Sequence, residues 1–364
     1  MKKQNISRRK FIQSATAAAA GTALMGLPGL NAKDLKAGSP ADIVSIVRIK
    51  NGNIDKAVEE AVDLLGGIGS VTKDRNRILL KPNLVGPDRR CTTKPEVVRA
   101  VAQLLKRSGK EVMIGEGSAA ADKFNVKGSE IFRTRKKDIL DEMQKYVYDT
   151  LGYTELASSL DIPLINLHSG DIVEVPLPGG FAADSLKIHR AVAEADLVCS
   201  IPMMKTHTLA TVTLAMKNLI GLYPGTEYYS VRSWLHDRAA ERGSHGIDFE
   251  IIDMNRAVKT GFCLIDASSA MEGNGPSDGS LVDMGLIVAG TSPLAADIVG
   301  STLMGFDPAE IPAIQLAHKA GMLPADISGI EIRGEGIAQT MHKFARPMIY
   351  KWTDINMFWG VKEI

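Results

Sequence analysis

The 364-residue chain has only three cysteines, Cys91, Cys199 and Cys263, and none forms a C-x-x-C pair. That spacing supports neither a chain-borne iron–sulfur cluster nor a cysteine zinc site. An odd count also argues against a disulfide framework. Cys199 and Cys263 sit in apolar, strand-like runs, where a free cysteine behaves as a small buried hydrophobe. No G-x-G-x-x-G run marks a dinucleotide fold, and no G-x-x-x-x-G-K-[ST] run offers a phosphate loop. Charge of one sign is missing too: 43 basic residues face 42 acidic ones, which gives no electrostatic case for nucleic acid. After the first 32 residues no apolar run reaches membrane-spanning length.

The N-terminus is distinctive. Ser7-Arg8-Arg9-Lys10-Phe11-Ile12-Gln13 resembles the twin-arginine export signal, and a mild Ala- and Gly-rich segment follows from Ala15 to Leu30. Leu30-Asn31-Ala32 is a cleavage site with a small last residue. The alternative is a basic, frayed end beside a chance alanine run. The expectation is a signal over residues 1–32, a polar linker over 33–41, and a protein carried out of the cytoplasm, to the periplasm or beyond, by the twin-arginine machinery. That route carries folded proteins. The remaining 332 residues hold 38 basic and 42 acidic side chains, a net charge of −4.

Short β-type runs then alternate with helical patterns. Strands are expected at Asp42–Ile49, Arg77–Leu80, Glu111–Ile114, Ile162–Asn166, Asp196–Ile201, Gly261–Asp266, Gly285–Ala289 and Ile327–Ile332. Helices are expected at Ile54–Leu65, Glu96–Ser108, Pro293–Leu303 and Ile311–Ala320. The alternation predicts an α/β, Rossmann-like fold. Its largely parallel sheet is flanked by helices, in one large domain or two lobes over residues 42–336. The basic run Arg133-Thr134-Arg135-Lys136-Lys137 reads as a solvated helix face. The 337–364 tail carries Met341, Phe344, Met348, Tyr350, Trp352, Phe358 and Trp359. It is expected to pack on the domain or join two copies of the chain. A peripheral membrane or partner contact is the alternative.

Polar motifs follow the strand ends, where ligands of open α/β sheets bind. They are Lys81-Pro82-Asn83, Gly115-Glu116-Gly117-Ser118, Asn166-Leu167-His168, Pro202 to His207, and Glu272-Gly273-Asn274-Gly275-Pro276 past Asp266. Each also reads as a simple turn. A helix is expected to begin after Lys205-Thr206-His207 and run from Val212 to Leu219, which makes that tripeptide an anion site at a helix N-terminus. His207 suits proton transfer or metal ligation. Asp266 and Glu272 suit an acid/base pair or, with His207, a divalent metal. On such a helix Lys217-Asn218 would lie about 15 Å from His207, at the far wall of a cleft. His236 and His245 read as solvated loop residues of second rank.

Taken together, these motifs resemble the domain-of-unknown-function 362 family. The likeness rests on Lys81-Pro82-Asn83, Gly115-Glu116-Gly117, Ile201-Pro202 with Lys205-Thr206-His207, and Lys217-Asn218-Leu219-Ile220-Gly221. Met271-Glu272-Gly273-Asn274-Gly275-Pro276, Ala289-Gly290 and Ala295-Ala296-Asp297 complete it, over residues 42–336. The family label names no reaction. Many members look like fusions with a ferredoxin-type cluster domain, whose cysteine set this chain lacks. A looser similarity, in architecture and a Lys/His loop, is to the catalytic domain of nickel-pincer lactate racemases, whose full histidine set is absent.

The functional expectation is an exported enzyme acting on a small anionic molecule. Lys205, His207, Glu272 and Asp266 would carry catalysis. Lys81, Asn83, Glu116, Thr206, Lys217, Asn218 and Asn274 would hold the substrate. Two lysines facing carboxylates suit a developing enolate or alkoxide, with or without a divalent metal. The competing expectation is a ligand-binding or redox-assembly accessory protein that does no chemistry.

Overall fold

The computed structural model describes residues 42–128, 130–243, 246–348 and 363. The signal and linker expectations, His245, Tyr350, Trp352, Phe358 and Trp359 lie outside them. Among the described residues two sheets carry the α/β fold. Four strands make an all-parallel sheet in the order Leu164–Asn166, Glu111–Glu116, Arg77–Pro82 and Leu197–Ile201. Arg77–Pro82 and Leu197–Ile201 are buried almost throughout, as apolar runs in a covered parallel sheet should be.

Seven strands make the second sheet. Its order is Thr211–Thr213, Met203–His207, Cys263–Glu272, Leu286–Gly290, Asp42–Arg48 and Ile330–Gly334, with Ser280–Val282 paired to the end of Cys263–Glu272. Only two of its pairings are parallel: Met203–His207 with Cys263–Glu272, and Asp42–Arg48 with Ile330–Gly334. The expectation of a largely parallel sheet therefore holds for the smaller sheet alone. The larger one is mixed, because Cys263–Glu272 and Leu286–Gly290 pair antiparallel, as do Leu286–Gly290 and Asp42–Arg48. A parallel pair needs a long crossover.

Local signals explain the helices that cover these sheets. Asn53 caps Ile54–Leu64 by accepting the Lys56 N–H at 3.0 Å. Pro95 opens Pro95–Arg107, and Ser292 with Pro293 opens Pro293–Leu303. Pro293–Leu303 is buried on nearly every face, so an acid within it, Asp297, needs a specific partner. The tail as far as Met348 packs back on the domain. Phe344 is buried in the core, and its N–H donates to the Met304 carbonyl at 3.0 Å.

The return of the chain from the smaller sheet to the larger takes a single residue. Leu197–Ile201 ends at Pro202, and Met203–His207 begins in the other sheet. Proline has no N–H to extend the first ladder, while its carbonyl accepts the Asp266 N–H at 2.7 Å. The crossing sets the carboxyl ends of Arg77–Pro82 and Glu111–Glu116 beside the Met203–His207 strand. Asp266 strengthens it. Its buried carboxylate accepts the Lys94 N–H at 3.0 Å, where Pro95–Arg107 begins, and the Ser268 N–H at 3.0 Å. Asp266→Ala is expected to lower the unfolding free energy by about 1–3 kcal/mol, because these donors are left buried without an acceptor. Urea denaturation reads this, and an unchanged midpoint would refute the tie.

Candidate functional site

Lys81 lies at the carboxyl end of its strand and is 1 % exposed. Its Nζ donates to Glu116 Oε2 at 2.7 Å, Asn218 Oδ1 at 3.0 Å and the Pro82 carbonyl at 2.8 Å, which uses all three protons. Glu116 Oε2 also accepts the Leu84 N–H at 3.0 Å, and Oε1 accepts the Gly117 N–H at 2.8 Å. The Asn218 amide returns two bonds, to the Lys81 carbonyl at 2.9 Å and to Ser200 Oγ at 3.0 Å. The result is a closed network between three strands and a short helix. The backbone of Gly221 lies directly on the ion pair, so that any Cβ there would collide with Glu116 Oε1 and Lys81 Nζ. Burial pushes the Lys81 ammonium down to about 8, against the opposing pull of Glu116.

The same short helix, Ala215–Asn218, carries Lys217. Asp297 anchors its first turn: Oδ1 accepts the Ala215 N–H at 2.6 Å, and Oδ2 accepts the Met216 N–H at 3.0 Å. Lys217 is half-buried, and its Nζ has no hydrogen-bond or ion-pair partner among the described residues. Burial, then the charges of Lys205, Lys81 and Arg232, push it down to about 7. Near neutral pH it is divided between ammonium and amine.

His207 ends the Met203–His207 strand. The Leu209 N–H donates to its Nδ1 at 3.1 Å, so the neutral ring carries its proton on Nε2. Burial, then the charge of Lys217, holds it well below the usual imidazole range. His236 is pushed down to about 4 for the same two reasons. Both imidazoles are neutral at pH 7. Arg232 is 3 % exposed and bonds to backbone carbonyls: Nη1 to Ser118 at 3.0 Å, Nη2 to Gly221 at 3.1 Å and also to Gly117. Its Nε has no partner, and neither does Asn83 Oδ1. Buried polar atoms left without a partner cost stability.

These groups line one cavity of about 560 Å³. Lys81, Asn83, Glu116, His207, Lys217 and Asn218 are on its wall, with Asn274, Arg232 and His236. Three acids also line it, but toward solvent: Asp122 and Asp278 are exposed, and the partly exposed Asp88 pairs with Arg90 at 2.7 Å. The deep charges are cationic apart from Glu116, which is already paired.

Several expectations are corrected. Lys205-Thr206-His207 is a strand, paired antiparallel with Thr211–Thr213, and not a helix N-terminus. A hairpin stands where the continuous helix was expected, and Lys217 and His207 both line the cavity. Lys205 does not line it: Nζ donates to the Cys91 carbonyl at 2.6 Å and the Pro276 carbonyl at 3.2 Å, tying two wall segments together from behind. Thr206 Oγ1 donates to the Gly273 carbonyl at 2.8 Å, again behind the wall. Asp266 is engaged with Lys94 and Ser268, and Glu272 Oε2 accepts the Ala345 N–H at 2.7 Å. His207, Asp266 and Glu272 therefore do not converge as a metal set. Among the described residues no three His, Cys, Asp or Glu side chains gather as ligands. His236 lies on the Ser233–Glu241 helix, not in a loop. The basic run precedes a helix, and its Arg133 and Arg135 stack on Tyr229 at 4.7 and 4.5 Å.

Arg232 is the buried cavity residue that sequence reasoning misses. It follows Tyr229 and Val231 in a run with φ of 63°, 50° and 53°, left-handed values that cost energy for residues other than glycine. Nothing in the local sequence announces this. Asp297 did leave a signal, a lone acid in an apolar helix.

A family model described as "Domain of unknown function (DUF362)" matches residues 78–302. A thylakoid-associated protein of Synechocystis sp. is 29 % identical over 292 residues, covering 77 % of this chain and 80 % of that protein. The lactate racemase apoprotein from Thermoanaerobacterium thermosaccharolyticum superposes with a TM-score of 0.42 at 11 % identity, over 72 % of this chain and 57 % of its own.

Lys217 gives the site a pH signature. Below about pH 7 both folded and unfolded chains hold its proton, and burying the charge costs stability. Between about 7 and 10.5 the unfolded chain still holds the proton and the folded one does not, so the cost fades. Lys217→Met is therefore expected to be more stable than wild type at pH 6, by on the order of 2 kcal/mol, with the gain shrinking toward pH 10. Denaturation at several pH values checks this. A variant less stable at pH 6 would contradict it.

Proposed function

We propose that this chain, which belongs to the DUF362 family, is an exported enzyme that moves a proton on a small organic anion. The observation that carries the reading is Lys217 Nζ, without a partner among the described residues, in a cavity whose deep charges are cationic or already paired. An anion completes that field. The amine form of Lys217 suits a general base, since an effective base titrates near its working pH. It would take a proton from the carbon next to a carboxylate or carbonyl. The electron pair left behind moves onto oxygen, giving an enolate. The His207 Nε2–H and the neighbouring cations would stabilise that charge. Returning the proton to the same or a neighbouring carbon completes an isomerisation, and loss of a leaving group would complete an elimination. The Lys81–Glu116–Asn218 network would act as a rigid wall and not as the acid or base, because its protons are all engaged.

Export rests on the Ser7–Gln13 motif. A relative described as thylakoid-associated fits work at or beyond a membrane. No helix among the described residues is long and apolar enough to cross one. The parallel four-stranded sheet, with its carboxyl ends at the cavity, supports a Rossmann-like reading of that half. A second reading, a ligand-carrying accessory protein or a homo-oligomer joined by its tail, draws on one contact. The Met348 N–H donates to the cavity residue Asn274 at 3.0 Å, while Met341 and Met348 stay exposed for a partner.

The test is hydrogen exchange. The protein is incubated in deuterated water with a panel of 2-hydroxy, 2-oxo and enolisable acids, and label is read by NMR. Exchange is expected next to the carboxylate or carbonyl of at least one acid, rising with pH through about 7 as Lys217 loses its proton. It should fall about 100-fold or more in Lys217→Met. Exchange of equal rate in that variant would sink the assignment.

A further inference from the structure

The cavity wall also indicates what kind of anion fits. We infer that the ligand is amphipathic, a carboxylate-type head on an apolar chain or ring, and not an inorganic anion or a sugar phosphate. The inference rests on the anion reading above and extends it. The polar groups form one neighbourhood: Lys217 feels Lys205, Lys81, Arg232 and Glu116, and His207 feels Lys217 and His236. Much of the remaining wall is hydrocarbon. Leu84, Val85, Val126, Ile131, Ile220 and Val231 contribute it, from five separate segments of the chain.

The volume fits this division. About 560 Å³ lies within the range of about 300–1,000 Å³ that suits organic ligands. A carboxylate head fills a small part of it. A sugar phosphate would bring several hydroxyls against Val126, Ile131 and Val231, which offer them no hydrogen bonds, and each unpaired hydroxyl costs binding energy. Val231 adds an independent sign. It is β-branched, yet it holds a φ of 50° while lining the cavity. Such strain persists where the surrounding structure enforces it, and functional walls are where it collects.

Calorimetric titration of the full chain with acetate, butanoate, hexanoate and octanoate, beside inorganic phosphate and glucose 6-phosphate, tests the inference. Affinity is expected to rise about fourfold per added methylene until the cavity is filled. Octanoate should bind far more tightly than either phosphate. Ile131→Asn, at a partly exposed position, is expected to lower the octanoate-to-acetate affinity ratio. A flat series, or tighter binding of glucose 6-phosphate, would overturn the amphipathic ligand and leave the anion reading standing. No binding by any of these anions would overturn both.

Discussion

The buried ion pair between Lys81 and Glu116 is the constraint around which this site is built. It joins the ends of two parallel strands, and through Asn218 it fixes the short helix that follows the Met203–His207 hairpin. Both charges are fully bonded, which is the condition under which a buried pair is tolerated. Gly221 lies against the pair because no side chain fits there. Asp297 holds the same helix from the other side by accepting two of its N–H groups. With Asn218 locked inward, its neighbour Lys217 has one place left, the cavity.

That arrangement costs stability. Lys217, Arg232 and Lys81 are close enough to depress one another's charge, and the lone nearby carboxylate is committed to Lys81. A fold optimised for stability would place a second acid beside Lys217. The strained run from Tyr229 to Arg232 adds to the same account, since it brings a guanidinium against Gly117, Ser118 and Gly221 at the back of the wall. Proteins keep such costs where binding or chemistry uses them.

Much of the scaffold was legible in the sequence. Pro293–Leu303 begins and ends where its Ser292 cap and apolar run say, and Asp42–Arg48, Arg77–Pro82 and Leu197–Ile201 fall on their β-type runs. The strand-end argument also held for Lys81, Asn83 and Glu116, which meet in one cavity. Two things stayed hidden. The stretch from Met203 to Thr213 reads as a loop leading into a helix, yet it forms a hairpin, and its Met203–His207 strand pairs with Cys263–Glu272, which is distant in sequence. Local pattern cannot report such a pairing. Nor can it report which way a polar group on a strand is used. Asp266 and Lys205 carry the chemistry expected of a site, and the fold spends both on holding segments together.

The account stands on Lys217 being a depressed amine without a protein partner among the described residues, whose titration a bound anion shifts. Titrating the lysine side chains by NMR in isotopically labelled protein, with the Lys217 signal assigned by its absence in Lys217→Met, measures this directly. The account predicts a midpoint near 7 in the free protein, moving upward when a carboxylate ligand is added. A midpoint near the ordinary 10.5 that ignores added anion would contradict it.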